Sequence, residues 1–194
     1  MSGTSPKLIL ASASPRRLDL LDQIGILVDA VKPADINEDP IGGEIPREHA
    51  LRLAREKAIK IAGTHAGQIV LAADTVVGVG RRILPKTETI DEARRCLQLM
   101  SGRGHRVFTG VALVNVDGDL SSRVVETRLK MKRLSSSELQ GYLESGEWKG
   151  KAGGYGIQGR AGAFISNLIG SYSNVVGLPL FETRNLLNNA GYRA

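Results

Sequence analysis

The chain has 194 residues, 42% of them hydrophobic and 4% aromatic, with a formal net charge of +6. That suffices for one domain or two small lobes around a shared cleft, with a core of Leu, Ile, Val and Ala, but offers few platforms for stacking nucleic-acid bases. The positive balance suits a polyanionic partner, while a single cysteine, Cys96, excludes an internal disulfide and a cysteine-based zinc site.

No apolar stretch approaches the ~20 residues of a membrane span. The opening M-S-G-T-S-P-K has no apolar signal core, so a cytoplasmic protein is expected. Residues 7–17, K-L-I-L-A-S-A-S-P-R-R, read as a buried strand, a small-residue loop and a helix start. Ser14 is the expected N-cap and Pro15 the first helical residue, with Leu18, Leu21 and Ile24 on one face and Gly25 at the end. Two readings stay open: an ordinary strand–helix corner, or an anion site in which the helix N-terminus is joined by Arg16 and Arg17.

Residues 26–31 read as a second short strand. The acidic loop that follows carries Asp35, Glu38, Asp39 and Glu44, either solvated or holding a divalent cation. Pro46 opens a long helix whose apolar face includes Ala50, Leu53, Ala54, Ala58 and Ile61. Its Arg47, Arg52, Arg55, Lys57 and Lys60 read chiefly as a solvated basic face. In Q-I-V-L-A-A-D-T-V-V-G, residues 68–78, Asp74 and Thr75 interrupt an otherwise buried strand. A carboxylate there must be paired, coordinated or exposed at a cleft, or else cap a strand end.

A turn and short strand lead to Lys86. Thr89 then caps a helix ending near Met100, with Asp91 and Glu92 in its first turn. Two long antiparallel strands follow around a D-G-D turn, with Thr127, Leu129 and Met131 inward and Arg128, Lys130 and Lys132 outward. His105 should precede the first of them as a turn or packing residue; His49 and His65 likewise share no metal-ligand spacing. Ser135 and Glu138 stand in capping-box register. The segment K-G-K-A-G-G-Y-G-I-Q-G lets backbone approach a ligand closely, with Lys151, Tyr155 and Gln158 able to reach it. It is no Walker loop, and no G-x-G-x-x-G occurs. Residues 163–177 read as the close of the β part, and a final helix starts near Pro179.

The motifs L-A-S-A-S-P-R-R, L-A-R-E-K-A, A-A-D-T-V-V, S-G-R-G-H-R-V-F-T-G-V, K-A-G-G-Y-G-I-Q-G and G-S-Y-S-N-V-V-G-L-P-L-F-E-T occur in that order. Together they resemble the Maf family of nucleoside triphosphate pyrophosphatases, and the resemblance covers the chain from Lys7 to the last helix. It implies an α/β fold, an elongated, twisted mixed sheet flanked by helices with a central cleft, as in inosine triphosphate pyrophosphatases. It further implies one domain over 1–194 with two lobes, metal-dependent hydrolysis of an α–β phosphoanhydride with Mg²⁺ or Mn²⁺, a cytoplasmic location and a homodimer.

By the same resemblance, Asp74 is the proton acceptor. Ser12, Arg16, Arg17, Lys57 and Lys86 surround the triphosphate, and Glu38 takes the metal-associated acidic position with Asp74. Arg16, Thr75 and Gln158 match the specificity positions of the dTTP/UTP branch rather than the 7-methyl-GTP branch. Two departures stand out: Asn37 replaces a second acid in the metal loop, and Thr87 replaces a proline after Lys86, which is expected to loosen that loop. The competing expectations are a different modified-nucleotide substrate, a catalytically silent nucleotide-binding regulator, and a nucleic-acid binder driven by charge.

Overall fold

The computed structural model describes residues 6–193; residues 1–5 of the stretch read above for a signal core lie outside them. In chain order the elements are β1 (Leu8–Leu10), α1 (Pro15–Gln23), β2 (Ala30–Val31), α2 (Pro46–Ala62), β3 (Ile69–Val79), β4 (Arg82–Leu84), β5 (Lys86–Thr87), α3 (Ile90–Met100), β6 (Gly104–Val114), β7 (Leu120–Met131), α4 (Ser136–Glu144), β8 (Lys151–Ala152), β9 (Ile165–Ile169), α5 (Tyr172–Val176) and α6 (Leu180–Asn189). A seven-stranded mixed sheet runs β2-β1-β3-β6-β7-β9, with β4 also on β3; β5 and β8 form a separate pair.

The long strand β3 decides where the cleft falls. One of its edges is paired with β6 from Val70 to Gly78. On the other edge, β1 pairs in parallel as far as Leu71 and β4 returns antiparallel only from Val77. Among the described residues, positions 72–76 therefore have no strand on that side. Asp74 and Thr75 sit in this gap, and because successive side chains point to opposite faces they serve the two sides of the sheet.

Helix α2 covers one face, packing Ala54, Ala58 and Ile61 on Val70, Ala72 and Ala112. Its close approach depends on two glycines: a Cβ on Gly78 would meet Pro46 Cγ at 2.7 Å, and one on Gly110 would meet the Ala50 carbonyl oxygen at 2.2 Å. The other face carries two clusters. Helices α1 and α6 pack around Leu21, Leu71, Leu113 and Leu187, while α3 and α4 pack around Val77, Leu97, Met131 and Leu143.

The inward and outward alternation expected of β7 is present: Thr127, Leu129 and Met131 are buried, and Arg128 and Lys130 are exposed. Both capping boxes form, Thr89 with Glu92 and Ser135 with Glu138. Four expectations need correction. Ser14 occupies the N-cap of α1, yet its side chain makes no cap bond; its N–H instead donates to Ser12 Oγ at 3.2 Å. Strand β2 is only two residues long, because Ile26 closes the turn after α1 onto the Leu21 carbonyl and Asp29 Oδ2 takes the Leu8 N–H at 2.7 Å. His105 lies inside β6, buried rather than before the strand. The strand reading of residues 163–177 holds only for β9: Ser171 Oγ accepts the Asn174 N–H and starts α5 instead.

Candidate active site

The interruption in the sheet opens a cleft of ≈ 390 Å³ whose lining includes Ser12, Arg16, Arg17, Glu38, Lys57, Asp74, Thr75, Lys86 and Gln158. All nine side chains singled out in the sequence thus meet at one place, although they are spread over 147 positions of chain counted from Ser12 to Gln158.

Asp74 is only 2% exposed, and a lone carboxylate at such a site would be costly. Lys57, reaching down from the buried face of α2, resolves this with its Nζ 2.6 Å from Asp74 Oδ1. The same ammonium lies 2.5 Å from Glu38 Oε1, and Lys86 binds the other Glu38 oxygen. The result is an alternating chain, Lys86–Glu38–Lys57–Asp74. Partial burial works against the Glu38 charge, but the hydrogen bonds from Lys57 and Lys86 outweigh it and hold the carboxyl at about 2. Lys57 was expected among the residues around a phosphate; its burial on the sheet face, rather than on a solvated helix face, is what the tertiary structure adds.

The loop bearing Glu38 is itself anchored. Glu44 accepts from Arg52 Nε at 2.7 Å, contacts His49 Nδ1 at 2.8 Å and accepts the Ile41 N–H at 3.0 Å. Arg52 Nη2 also donates to the Asp39 carbonyl at 3.0 Å. Arg52 bonds lower the Glu44 carboxyl most, to about 2, against the opposing effect of burial. Asn37 shapes the same loop, its Oδ1 accepting the Asp39 N–H at 2.9 Å. Arg52 therefore has a structural task that its place in a basic helix pattern did not reveal. Arg52→Ala is expected to speed amide exchange across residues 38–44 while the middle of α2 keeps its protection, as measured by hydrogen exchange with mass spectrometry.

Arg17 points into the protein. Its Nε donates to the Gly177 carbonyl at 2.8 Å, Nη1 to Ser12 Oγ at 2.8 Å and Nη2 to Thr75 Oγ1 at 3.2 Å. One guanidinium fork thus ties together the loop before α1, the centre of β3 and the turn after α5. Arg16, half-buried at the cleft, has no hydrogen-bond or ion-pair partner among the described residues, and the same holds for the exposed Gln158. The N-terminus of α1, with its orphan N–H groups and positive dipole end, opens on the same space.

The glycine-rich segment is held from beneath. Tyr155 lines the cleft with its ring, but its hydroxyl is 2.6 Å from His105 Nε2, so it does not reach outward as the sequence suggested. Burial pushes the His105 imidazole down to about 4, keeping it neutral near pH 7. The loosening expected from Thr87 is also corrected. Thr87 is fully buried, its hydroxyl donates to the Trp148 carbonyl at 2.8 Å, and its own carbonyl accepts the Gly150 N–H at 2.8 Å. Threonine here stitches the Lys86 strand to the glycine-rich segment.

Among the described residues, no group of three or more His, Cys, Asp or Glu side chains forms a ligand cluster. Glu38 and Asp74 nevertheless converge on one point, the Lys57 ammonium. Two hard carboxylate donors of this kind suit Mg²⁺ or Mn²⁺, which commonly bind one or two protein carboxylates and complete their shells with phosphate oxygens and water.

Fold and cleft together define a class: a mixed-sheet α/β protein with a basic, carboxylate-bearing cleft suited to a polyanion. Comparison with known proteins narrows it. The sequence model of the family described as Maf-like protein matches residues 7–190, and the chain belongs to that family. A relative from Caulobacter vibrioides named dTTP/UTP pyrophosphatase is 62% identical over 188 residues, covering 97% of each chain. One of the same name from Maricaulis maris is 64% identical over 187 residues, covering 96% of this chain and 89% of that one. Among solved structures, a HAM1 protein from Coxiella burnetii shares the fold with a TM-score of 0.50 and 16% identity, covering 95% of this chain and 99% of that one.

Proposed function

We propose that the protein is a nucleoside triphosphate pyrophosphatase that cleaves the α–β phosphoanhydride of dTTP and UTP, giving the nucleoside monophosphate and pyrophosphate. The Lys86–Glu38–Lys57–Asp74 chain, which runs from the exposed Lys86 down to the buried Asp74 in a gap of the sheet beside Arg16 and Gln158, carries this reading. The names of the closely similar relatives support it.

Ser12 Oγ, already accepting from Arg17 and the Ser14 N–H, keeps its own proton to donate to a phosphate oxygen. The α1 N-terminus, Arg16, Lys57 and Lys86 add positive charge around the triphosphate. Arg17 acts by holding Ser12, Thr75 and the Gly177 turn in register. A divalent ion held by Glu38 and Asp74 would neutralise phosphate charge and polarise the scissile bond.

Asp74 uses only Oδ1 in binding Lys57. When a phosphate takes over the Lys57 ammonium, the carboxylate is released from that ion pair and is free to bind water. It then orients a water and takes its proton as the water oxygen attacks the α-phosphorus. The bond from that phosphorus to the bridging oxygen breaks, and pyrophosphate leaves with the electron pair. In this reading the chain is one domain with two lobes around the cleft, working in the cytoplasm as a homodimer on free nucleotides rather than nucleic acid.

The decisive experiment is a pyrophosphate-release screen over canonical and modified triphosphates with Mg²⁺ or Mn²⁺. Preferential hydrolysis of dTTP and UTP is expected. Preference for 7-methyl-GTP would refute the base assignment, and tight binding without release would identify a silent regulator.

A further inference from the structure

A hydroxyl has one proton, and in this site that fixes what Thr75 can offer a ligand. Thr109 faces Thr75 across the β3–β6 register and is fully buried. Its Oγ1 lies 2.9 Å from the Asn174 backbone carbonyl and 2.9 Å from Thr75 Oγ1. The carbonyl has no proton to give, so Thr109 donates to it; the reverse arrangement would face two bare lone pairs across 2.9 Å in a buried site.

With the Thr109 proton spent, the Thr75–Thr109 contact is a hydrogen bond only if Thr75 is its donor. Arg17 Nη2, which can only donate, takes one Thr75 lone pair at 3.2 Å. The other acceptor near Thr75, the Gly177 carbonyl, is farther away at 3.5 Å and already accepts from Arg17 Nε. Thr75 is therefore left with a lone pair and no proton for the cleft. The Asn174 carbonyl that sets this polarity is fixed in turn: Asn174 Nδ2 donates to the Val107 carbonyl at 3.2 Å and to Thr127 Oγ1 at 3.0 Å.

We propose that Thr109 and Asn174 are positioning residues for base selection, locking Thr75 as an acceptor that selects pyrimidines carrying a hydrogen on N3. Uracil and thymine have that hydrogen; cytosine presents a lone pair there instead. Gln158 alone cannot make the distinction, because its amide presents either a donor or an acceptor after a flip. A side chain of fixed polarity supplies what the amide lacks. This inference rests on the dTTP/UTP reading above and adds to it the residues that set the polarity.

The test compares kcat/KM for UTP, CTP and 3-methyl-UTP, in which a methyl group replaces the N3 hydrogen and both ring carbonyls are kept. The wild-type enzyme is expected to favour UTP over each of the others by at least ~10-fold. Thr109→Val keeps the shape but removes the group that receives the Thr75 proton, so the UTP-to-CTP ratio should fall by ~10-fold or more. Thr109→Ser should restore it. A purely structural loss would lower both substrates together and leave the ratio in place. An unchanged ratio in a folded Thr109→Val variant overturns the proposal, and so does equal use of UTP and 3-methyl-UTP by the wild type, which requires no variant to fold. Absence of turnover on every pyrimidine triphosphate by the wild type would instead sink the dTTP/UTP reading together with the inference built on it.

Discussion

Asp74→Asn is expected to lower kcat by ~10³-fold or more while leaving the fold and nucleotide binding in place. The magnitude follows from removing the proton acceptor, a contribution of ~10²–10⁴-fold for a positioned base, together with half of the carboxylate pair. Structural damage should be slight. The asparagine Oδ1 can still accept from Lys57, and Lys57 keeps Glu38 as a charged partner, so no buried ammonium is left alone. A stability loss of about 1–2 kcal/mol is the scale for weakening one charged hydrogen bond of this kind. Steady-state pyrophosphate release and a urea melt on the same preparation separate the two effects. Turnover within tenfold of wild type would return Asp74 to the role of a structural ion pair.

Gly110→Ala should be the most damaging small substitution in the sheet. Gly110 lies opposite Asp74 in the β3–β6 register, with the backbone of α2 directly above it. An added Cβ would stand 2.2 Å from the Ala50 carbonyl oxygen, 2.7 Å from its carbon and 2.9 Å from Leu51 Cα. These are backbone atoms and cannot swing aside, so the helix must lift from the sheet. A loss of ~3 kcal/mol or more is expected, at the upper end for overpacking.

Any folded fraction of this variant would carry Lys57 away from Asp74. A displacement of about 1 Å at such a site costs ~100-fold in rate. Gly141→Ala provides the contrast. Gly141 lies within α4 with nothing within 4 Å of the added Cβ, so the same chemical change should stabilise by ~0.5–1 kcal/mol. Urea midpoints for the two variants should move in opposite directions.

Much of this architecture could be read along the chain, because its causes are local. Pro15 and Pro46 open helices with a preset φ, the Thr89 and Ser135 boxes mark two more, and the alternation through Met131 reports one wet face of β7. Asp74 announced itself by the cost of a carboxylate in an apolar strand, and the ordered motifs named the family. Where local cues compete, the pattern along the chain misleads. Residues 163–177 read as one β segment, but the Ser171 cap turns Tyr172–Val176 into a helix. Residues 26–29 look extended, but Asp29 spends its side chain on the Leu8 amide.

What only the tertiary structure decided is which charge meets which. Nothing in the spacing of Arg52 and Glu44 distinguishes a solvated face from a loop anchor, and nothing beside Arg17 says that it will grip Gly177, 160 residues away. The same is true of the hydroxyl chain from Thr75 through Thr109 to Asn174, whose members lie on three separate elements. Helix starts and strand alternation depend on neighbours in sequence, and one chain displays them. Ion pairs and proton directions depend on atoms brought within 3 Å by the closing of the sheet, and only the folded molecule sets them.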